Sequence, residues 1–232
     1  MRSQRNLYES IAQNRILVRA HSITNRIREA LKEVNHGCRC LDIGCGDGIF
    51  SSLIKANYQY IYGIDCSNTS AIQAKSNGIS VILADIDEGF MPFTEDTFDL
   101  ISCLDVIEHV FDPVKLLNEI HRVLLTHGTL IITTPNIRFI DFIKDLILNG
   151  QFPRTSHDKE GFDGGHIRYF TFKDLRDLLI KTGFYIEIER GYDNKNYRSL
   201  KIFLFKLIMR CYEKDMEKEF FCPGILIKAK KI

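Results

Sequence analysis

The chain has 232 residues, 45% of them hydrophobic and 26% charged, with a formal net charge of +1. That length suits one large domain with a sizeable core, and the composition is that of a soluble globular protein. The balanced charge excludes a global field that would gather nucleic acid or strongly acidic partners.

Taken in chain order, residues 7–34 carry Leu7, Ile11, Ile16, Ile23, Ile27, Leu31 and Val34 near helical spacing, which predicts one or two helices closed by His36-Gly37. A short buried strand is expected over 39–43 and a helix over 49–56. A second strand follows at 58–64 and a second helix at 67–77, capped by Ser67 and stopped by Asn77-Gly78. Strands are then expected at 79–84 and 98–104. A helix at 113–125 starts from Asp112, and a strand at 129–134 ends at Pro135. This regular alternation argues for a doubly wound, mostly parallel sheet with helices on both faces. Residues 137–149 read as helix, 151–169 as a long functional loop, and 171–182 as a helix between Thr171 and Gly183. Strands at 184–190 and 224–230 flank a largely helical insertion at 195–220. The seven strands make one domain over 1–232, with a helical cap at 1–36 and substrate-side insertions at 137–170 and 192–222.

Seven cysteines form no CxxC pair, so neither a structural zinc nor a disulfide framework is expected; no metal is expected, and a reducing cytoplasm fits. The first residues lead into no apolar signal core, so secretion is not expected. The longest apolar stretch, residues 200–212, is too short to span a bilayer and is interrupted by Lys201, Lys206 and Arg210. An amphipathic helix packed on the domain is the expectation, and a membrane-surface or dimer face the alternative.

The chemistry concentrates at strand ends. Leu41-Asp42-Ile43-Gly44-Cys45-Gly46-Asp47-Gly48 is a strand, a glycine turn and a helix start, with spacing that is neither G-x-G-x-x-G nor a P-loop. Asp65 ends the next strand, about 20 residues on, where a carboxylate can accept both ribose hydroxyls. Asp85-Ile86 ends the third strand, where the carboxylate can accept from an adenine amine while the isoleucine covers the ring. Leu104-Asp105-Val106-Ile107-Glu108-His109 follows the fourth. All four lie where open α/β sheets bind their ligands.

With these residues the chain resembles the class I S-adenosylmethionine-dependent methyltransferases, in particular the group that includes the ubiquinone-type O-methyltransferases. The glycine segment matches the family's first motif, Tyr62-Gly63-Ile64-Asp65 its second and Ala84-Asp85-Ile86 its third. Phe98-Asp99-Leu100-Ile101 with Leu104 to His109 matches the fourth. The likeness covers residues 38–191 and 224–231; it departs at Leu125-Thr126-His127-Gly128, where relatives carry a Lys-Pro-Gly-Gly turn. It implies a seven-stranded Rossmann-like sheet with its last strand antiparallel, and S-adenosylmethionine as methyl donor with S-adenosylhomocysteine as product. By the same resemblance Asp42, Gly44, Cys45, Gly46 and Gly48 hold the methionine portion, and Asp65 with Cys66 the ribose. Asp85 and Ile86 take the adenine, and Leu104, Asp105 and His109 lie near the methyl. Tyr8 is a candidate cap of the pocket or a core residue.

A hydroxyl acceptor benefits from a base. The candidates are His109, His157 and His166, each of which also reads as a hydrogen-bonded structural residue. His166 stands in Gly165-His166-Ile167-Arg168-Tyr169-Phe170-Thr171, and Arg168 is either an anion clamp or a structural tie. The acceptor is expected to be a small molecule or saccharide methylated at oxygen, without nucleic acid, by a monomer or homodimer. The alternatives are a catalytically silent cofactor-binding subunit and an enzyme for a lipid-linked acceptor at a membrane surface.

Overall fold

The computed structural model describes residues 2–18, 23–156, 158, 162–194 and 215–232. In chain order the elements are α1 (Arg2–Val18), α2 (Asn25–Leu31), β1 (Gly37–Ile43), α3 (Ile49–Leu53), β2 (Tyr58–Asp65), α4 (Asn68–Ser76), β3 (Ser80–Leu83) and β4 (Phe98–Leu104). They continue as α5 (Pro113–Val123), β5 (Leu124–Pro135), α6 (Ile140–Leu148), α7 (Phe172–Lys181), β6 (Phe184–Tyr192), α8 (Met216–Phe221) and β7 (Gly224–Lys231). The expected stretch at 200–212 and the candidate base His157 lie outside the described residues.

The sheet has seven strands in the order β3-β2-β1-β4-β5-β7-β6. The β1–β2, β1–β4, β2–β3 and β4–β5 pairs are parallel, and β7 is antiparallel to both β5 and β6. The strand order reverses between β1 and β4, and the crevice outside their carboxyl ends is where such sheets take ligands.

Successive strand residues face opposite sides, so each central strand feeds two cores. Leu41, Ile43, Ile101, Leu130, Ile132, Ile225 and Ile227 pack with Leu116, Leu117, Ile120, Leu175 and Leu179 on one face. Cys40, Leu100, Ile131 and Leu226 pack with Ile27, Ala30, Phe50 and Ile54 on the other. The apolar positions of α5 recur at Leu116, Leu117, Ile120 and Val123, one stripe of a 3.6-residue period. Each such side chain contributes about 1.5–3 kcal/mol on burial.

The helix starts follow the expected caps. The Ser67 hydroxyl accepts from Ser70 N at 3.1 Å, and Asp112 accepts from Lys115 N at 3.0 Å. Thr171 and Asp174 form a reciprocal capping box. Three of the boundary differences have a direct physical reason. Helix α3 stops at Leu53 because the chain turns through Ile54 to Asn57, whose carbonyl accepts from Gly37 N to open β1 beside β2. Strand β5 begins at Leu124, which pairs with Phe98 before a register shift absorbs the 125–128 turn. Helix α6 begins only at Ile140, since Ile137 N donates to Phe170 O and Arg138 N to the Asn136 side chain.

Candidate active site

The glycine turn is built by backbone geometry. Gly44 N and Cys45 N both donate to Ile64 O, at 2.8 and 3.1 Å, which bends the chain sharply as β1 ends. Gly44, Gly46 and Gly48 have φ of 66°, 55° and 78°, all in the left-handed region that glycine tolerates. A Cβ at Gly44 would lie 2.4 Å from Val106 Cγ2, whereas a Cβ at Gly46 would meet nothing within 4 Å. Gly44 is thus fixed by packing, while the space over Gly46 is open.

Asp42 sits beneath this turn, buried, accepting from Ser51 Oγ at 2.6 Å and Ser102 Oγ at 2.7 Å. Burial raises its carboxyl to about 6 against the opposing pull of those two hydroxyls. Its described bonds brace β1 against α3 and β4. Asp65 takes Gly46 N on one oxygen and Ser67 N on the other, both at 2.8 Å. Cys45 Sγ lies under the β2 strand, 2.6 Å from where a Cβ on Gly63 would stand. Burial pushes the Cys66 thiol up to about 12, which keeps it protonated at neutral pH. Asp85, just past β3, accepts from Asp87 N at 3.0 Å, and Ile86 packs against the larger core cluster.

The end of β4 carries the polar half of the site. Leu104 is buried, and Asp105 adopts a φ of 53° that turns the chain out of the sheet. Its carboxylate accepts from Thr133 Oγ1 at 2.7 Å and pairs with the Arg26 guanidinium of α2. Burial alone would raise Asp105; Arg26 and Thr133 together hold it below the usual carboxylate range. Three residues on, Glu108 is 1% exposed, with Oε2 accepting from Thr134 Oγ1 at 3.0 Å and Oε1 without a partner among the described residues. Burial first, and the nearby Asp105 charge second, push its carboxyl well above the ordinary range.

His109 and His166 meet here. Their rings lie 4.6 Å apart, edge to face, and His166 Nε2 is 4.0 Å from Glu108 Oε1. The ring protons can be assigned from the partners. His109 Nδ1 faces Gly165 O at 3.2 Å; a carbonyl only accepts, so Nδ1 carries the proton and Nε2 the lone pair. His166 Nδ1 lies 2.6 Å from Thr155 Oγ1, whose own proton goes to Asp163 Oδ2 at 2.8 Å. The Thr155 oxygen therefore accepts from Nδ1–H, and His166 Nε2 also carries a lone pair. Burial lowers both imidazoles, His109 to about 4 with His166 adding to the effect, so both are neutral proton acceptors at pH 7. One ligand atom from each of Glu108, His109 and His166 falls within 4.8 Å of the others, close enough to share a divalent cation.

Arg168 and Tyr8 are the remaining candidates. The Arg168 side chain is exposed and donates to Phe111 O at 2.6 Å, while Ile167 N and Arg168 N donate to Glu108 O. Its described bonds tie the 162–171 segment to the β4 end. Tyr8 packs its ring edge-on to His109, 5.3 Å between centroids. Sequence reasoning passed over Glu108, Thr155 and Asp163. The one available signal was Glu108 beside a candidate histidine in an otherwise apolar Val106-Ile107 run.

A doubly wound sheet that switches direction between β1 and β4, with a glycine turn and an acidic residue ending the next strand, defines a nucleoside-binding α/β protein. Residues 12–188 match the methyltransferase domain family, and the chain belongs to that family. It is 31% identical over 193 residues to the uncharacterized protein MJ1252 of Methanocaldococcus jannaschii, covering 77% of this chain and 74% of that one. It is 30% identical over 136 residues to the ubiquinone biosynthesis O-methyltransferase of Pseudomonas syringae pv. tomato, covering 54% of this chain and 58% of that one. The chain thus spans little more than half the length of that named enzyme. A SAM-dependent methyltransferase from Thermotoga maritima superposes with a TM-score of 0.66 at 20% identity, covering 99% of this chain and all of that one, and so shares the fold. The protein is a class I methyltransferase that uses S-adenosylmethionine. The open cradle at Gly46 beside the Asp65 carboxylate fits that cofactor. Among the described residues no helix is long and apolar enough to cross a membrane.

Proposed function

We propose that the chain methylates a hydroxyl oxygen of a small-molecule or saccharide acceptor, with the acceptor seated against His109 and His166. The observation that carries this reading is the pair of neutral imidazoles whose Nε2 atoms bear lone pairs. Asp163, through Thr155, fixes the His166 tautomer, and Gly165 O fixes that of His109. S-adenosylmethionine, when bound, supplies an electrophilic methyl on a sulfonium that departs as a neutral thioether. The backbone of the Gly44–Gly48 turn and Asp65 would orient the donor, with Asp85 and Ile86 at the adenine and Leu104 and Asp105 flanking the methyl. Orientation supplies much of the acceleration for such an in-line displacement. His166 Nε2 takes the acceptor's hydroxyl proton as the oxygen–carbon bond forms.

The O-methyltransferase name of the Pseudomonas syringae relative also favours oxygen. The test is transfer of isotopically labelled methyl from the donor into a panel of phenols, sugars and amines, with the linkage read by mass spectrometry. Labelled ethers that form with the wild type and fall at least about tenfold with His166→Ala support the reading. Labelled amines only, or His166→Ala at wild-type rate, would reject it.

A further inference from the structure

Helix α1 lies across the mouth of the cofactor crevice, anchored on both sides by adjacent residues. On one side the Glu9 carboxylate accepts from Ser67 Oγ at 2.8 Å, from Thr69 N at 3.3 Å and from Thr69 Oγ1. Ser67 N in turn donates to Asp65, so the Glu9 contact sits two residues from the candidate ribose carboxylate. On the other side Tyr8 packs on His109. Leu7 and Tyr8 also stand against Gly165, where an added Cβ would be 3.0 Å from Leu7 Cδ2 and 3.3 Å from the Tyr8 hydroxyl. Ser67 and Thr69 follow β2, and His109 follows β4. Strand β1 lies between those two, so a helix touching both groups must pass over the Gly44–Gly48 turn at the end of β1.

We propose that Glu9 is a positioning residue that latches α1 over the bound cofactor, and that its bonds to Ser67 and Thr69 set the rate at which donor and product exchange. The proposal rests on the cofactor occupying the crevice between Asp65 and Leu104. Three donors from the start of α4 converge on Glu9, beside Gln13 Nε2 of its own helix at 3.4 Å, an ordering across two elements that a residue in a merely amphipathic surface helix does not require. The N-terminus of α4 also favours the negative charge placed there. The Thr69 hydroxyl bond leads in holding the carboxylate down at about 2, so the latch stays charged throughout the neutral range. The same helix carries Tyr8 onto His109, so closing the latch also walls the acceptor side of the site.

The test is stopped-flow binding and release of S-adenosylhomocysteine by the wild type, Glu9→Gln and Thr69→Val. Thr69 is chosen over Ser67 because the Ser67 hydroxyl also caps α4. Both variants should bind and release the product about ten- to a hundredfold faster, the change that loss of one hydrogen bond to a charged group brings, with an unchanged melting temperature. Association and release should rise together, as opening a lid requires; a residue that merely stabilised the fold would lower the melting temperature instead. Release within twofold of the wild type in both variants overturns the latch. Saturable binding to the wild type separately checks the cofactor reading, so intact binding with unchanged rates counts against the latch alone.

Discussion

The imidazoles of His109 and His166 lie edge to face with centroids 4.6 Å apart, each with its Nδ1 committed to a neighbouring oxygen. Protonating either one would place a positive charge in a buried site against its partner. Burial and this pairing hold His109 down to about 4, and burial lowers His166. Side-chain NMR from pH 8 to 4 should therefore show His109 titrating well below an exposed histidine. A midpoint near 6.5 would reject the neutral-base assignment.

The same shift has a stability consequence. In the unfolded chain His109 takes up its proton near pH 6.5; in the folded protein it does so only near 4. Above 6.5 both states are neutral and nothing changes. Stability is lost as pH falls from 6.5 to 4, up to about 3 kcal/mol, and levels off below. Urea melts of the wild type and His109→Phe should diverge in that window, with the variant the less pH-sensitive. Parallel curves would contradict the linkage.

Gly44 and Gly46 should respond differently to alanine. Both pay the left-handed strain of about 1–2 kcal/mol. Gly44→Ala adds a 2.4 Å clash with Val106 and should lower the melting temperature markedly. Gly46→Ala meets no protein atom, so its larger effect should fall on cofactor affinity. Thermal melts with and without S-adenosylhomocysteine separate the two. Equal losses of stability with equal losses of binding would contradict the assignment of open space to the cofactor.

Arg26 ties the N-terminal segment to the β4 end through Asp105. Arg26→Met should destabilise by about 2 kcal/mol, less than the roughly 3–5 of a fully buried pair because both side chains are partly exposed. Adding Asp105→Asn should restore part of that loss, since the stranded charge is removed. A double variant as unstable as the sum of the two singles would show that the pair is not coupled.

The strand-end positions of the candidate cofactor residues were legible in the sequence, and the contacts around the candidate histidines only in part. Asp65 and Asp85 could be placed because strand and helix alternate regularly. The order of elements alone puts each acid at a strand end. Ser67, Asp112 and Thr171 were legible as caps because the capping bond reaches only three residues ahead. Glu108, Thr155 and Asp163 act on His166 across gaps that no local spacing encodes. Their meeting depends on the left-handed turn at 163–165 and on the Ile167 and Arg168 amides bonding Glu108 O. Arg168 illustrates the converse. Its residue type fits an anion clamp or a structural tie, and only the fold shows its guanidinium turned to the Phe111 carbonyl. Glu9 reads as a solvated helix acid until α1 is laid against α4.

The most direct measurement is calorimetric titration of S-adenosylhomocysteine into the wild type and Asp65→Ala. The wild type should bind at a single saturable site. Asp65→Ala should bind about ten- to a hundredfold more weakly, as loss of hydrogen bonds to a carboxylate requires. Equal affinity in the two proteins would contradict the placement of the cofactor across the glycine turn and the end of β2.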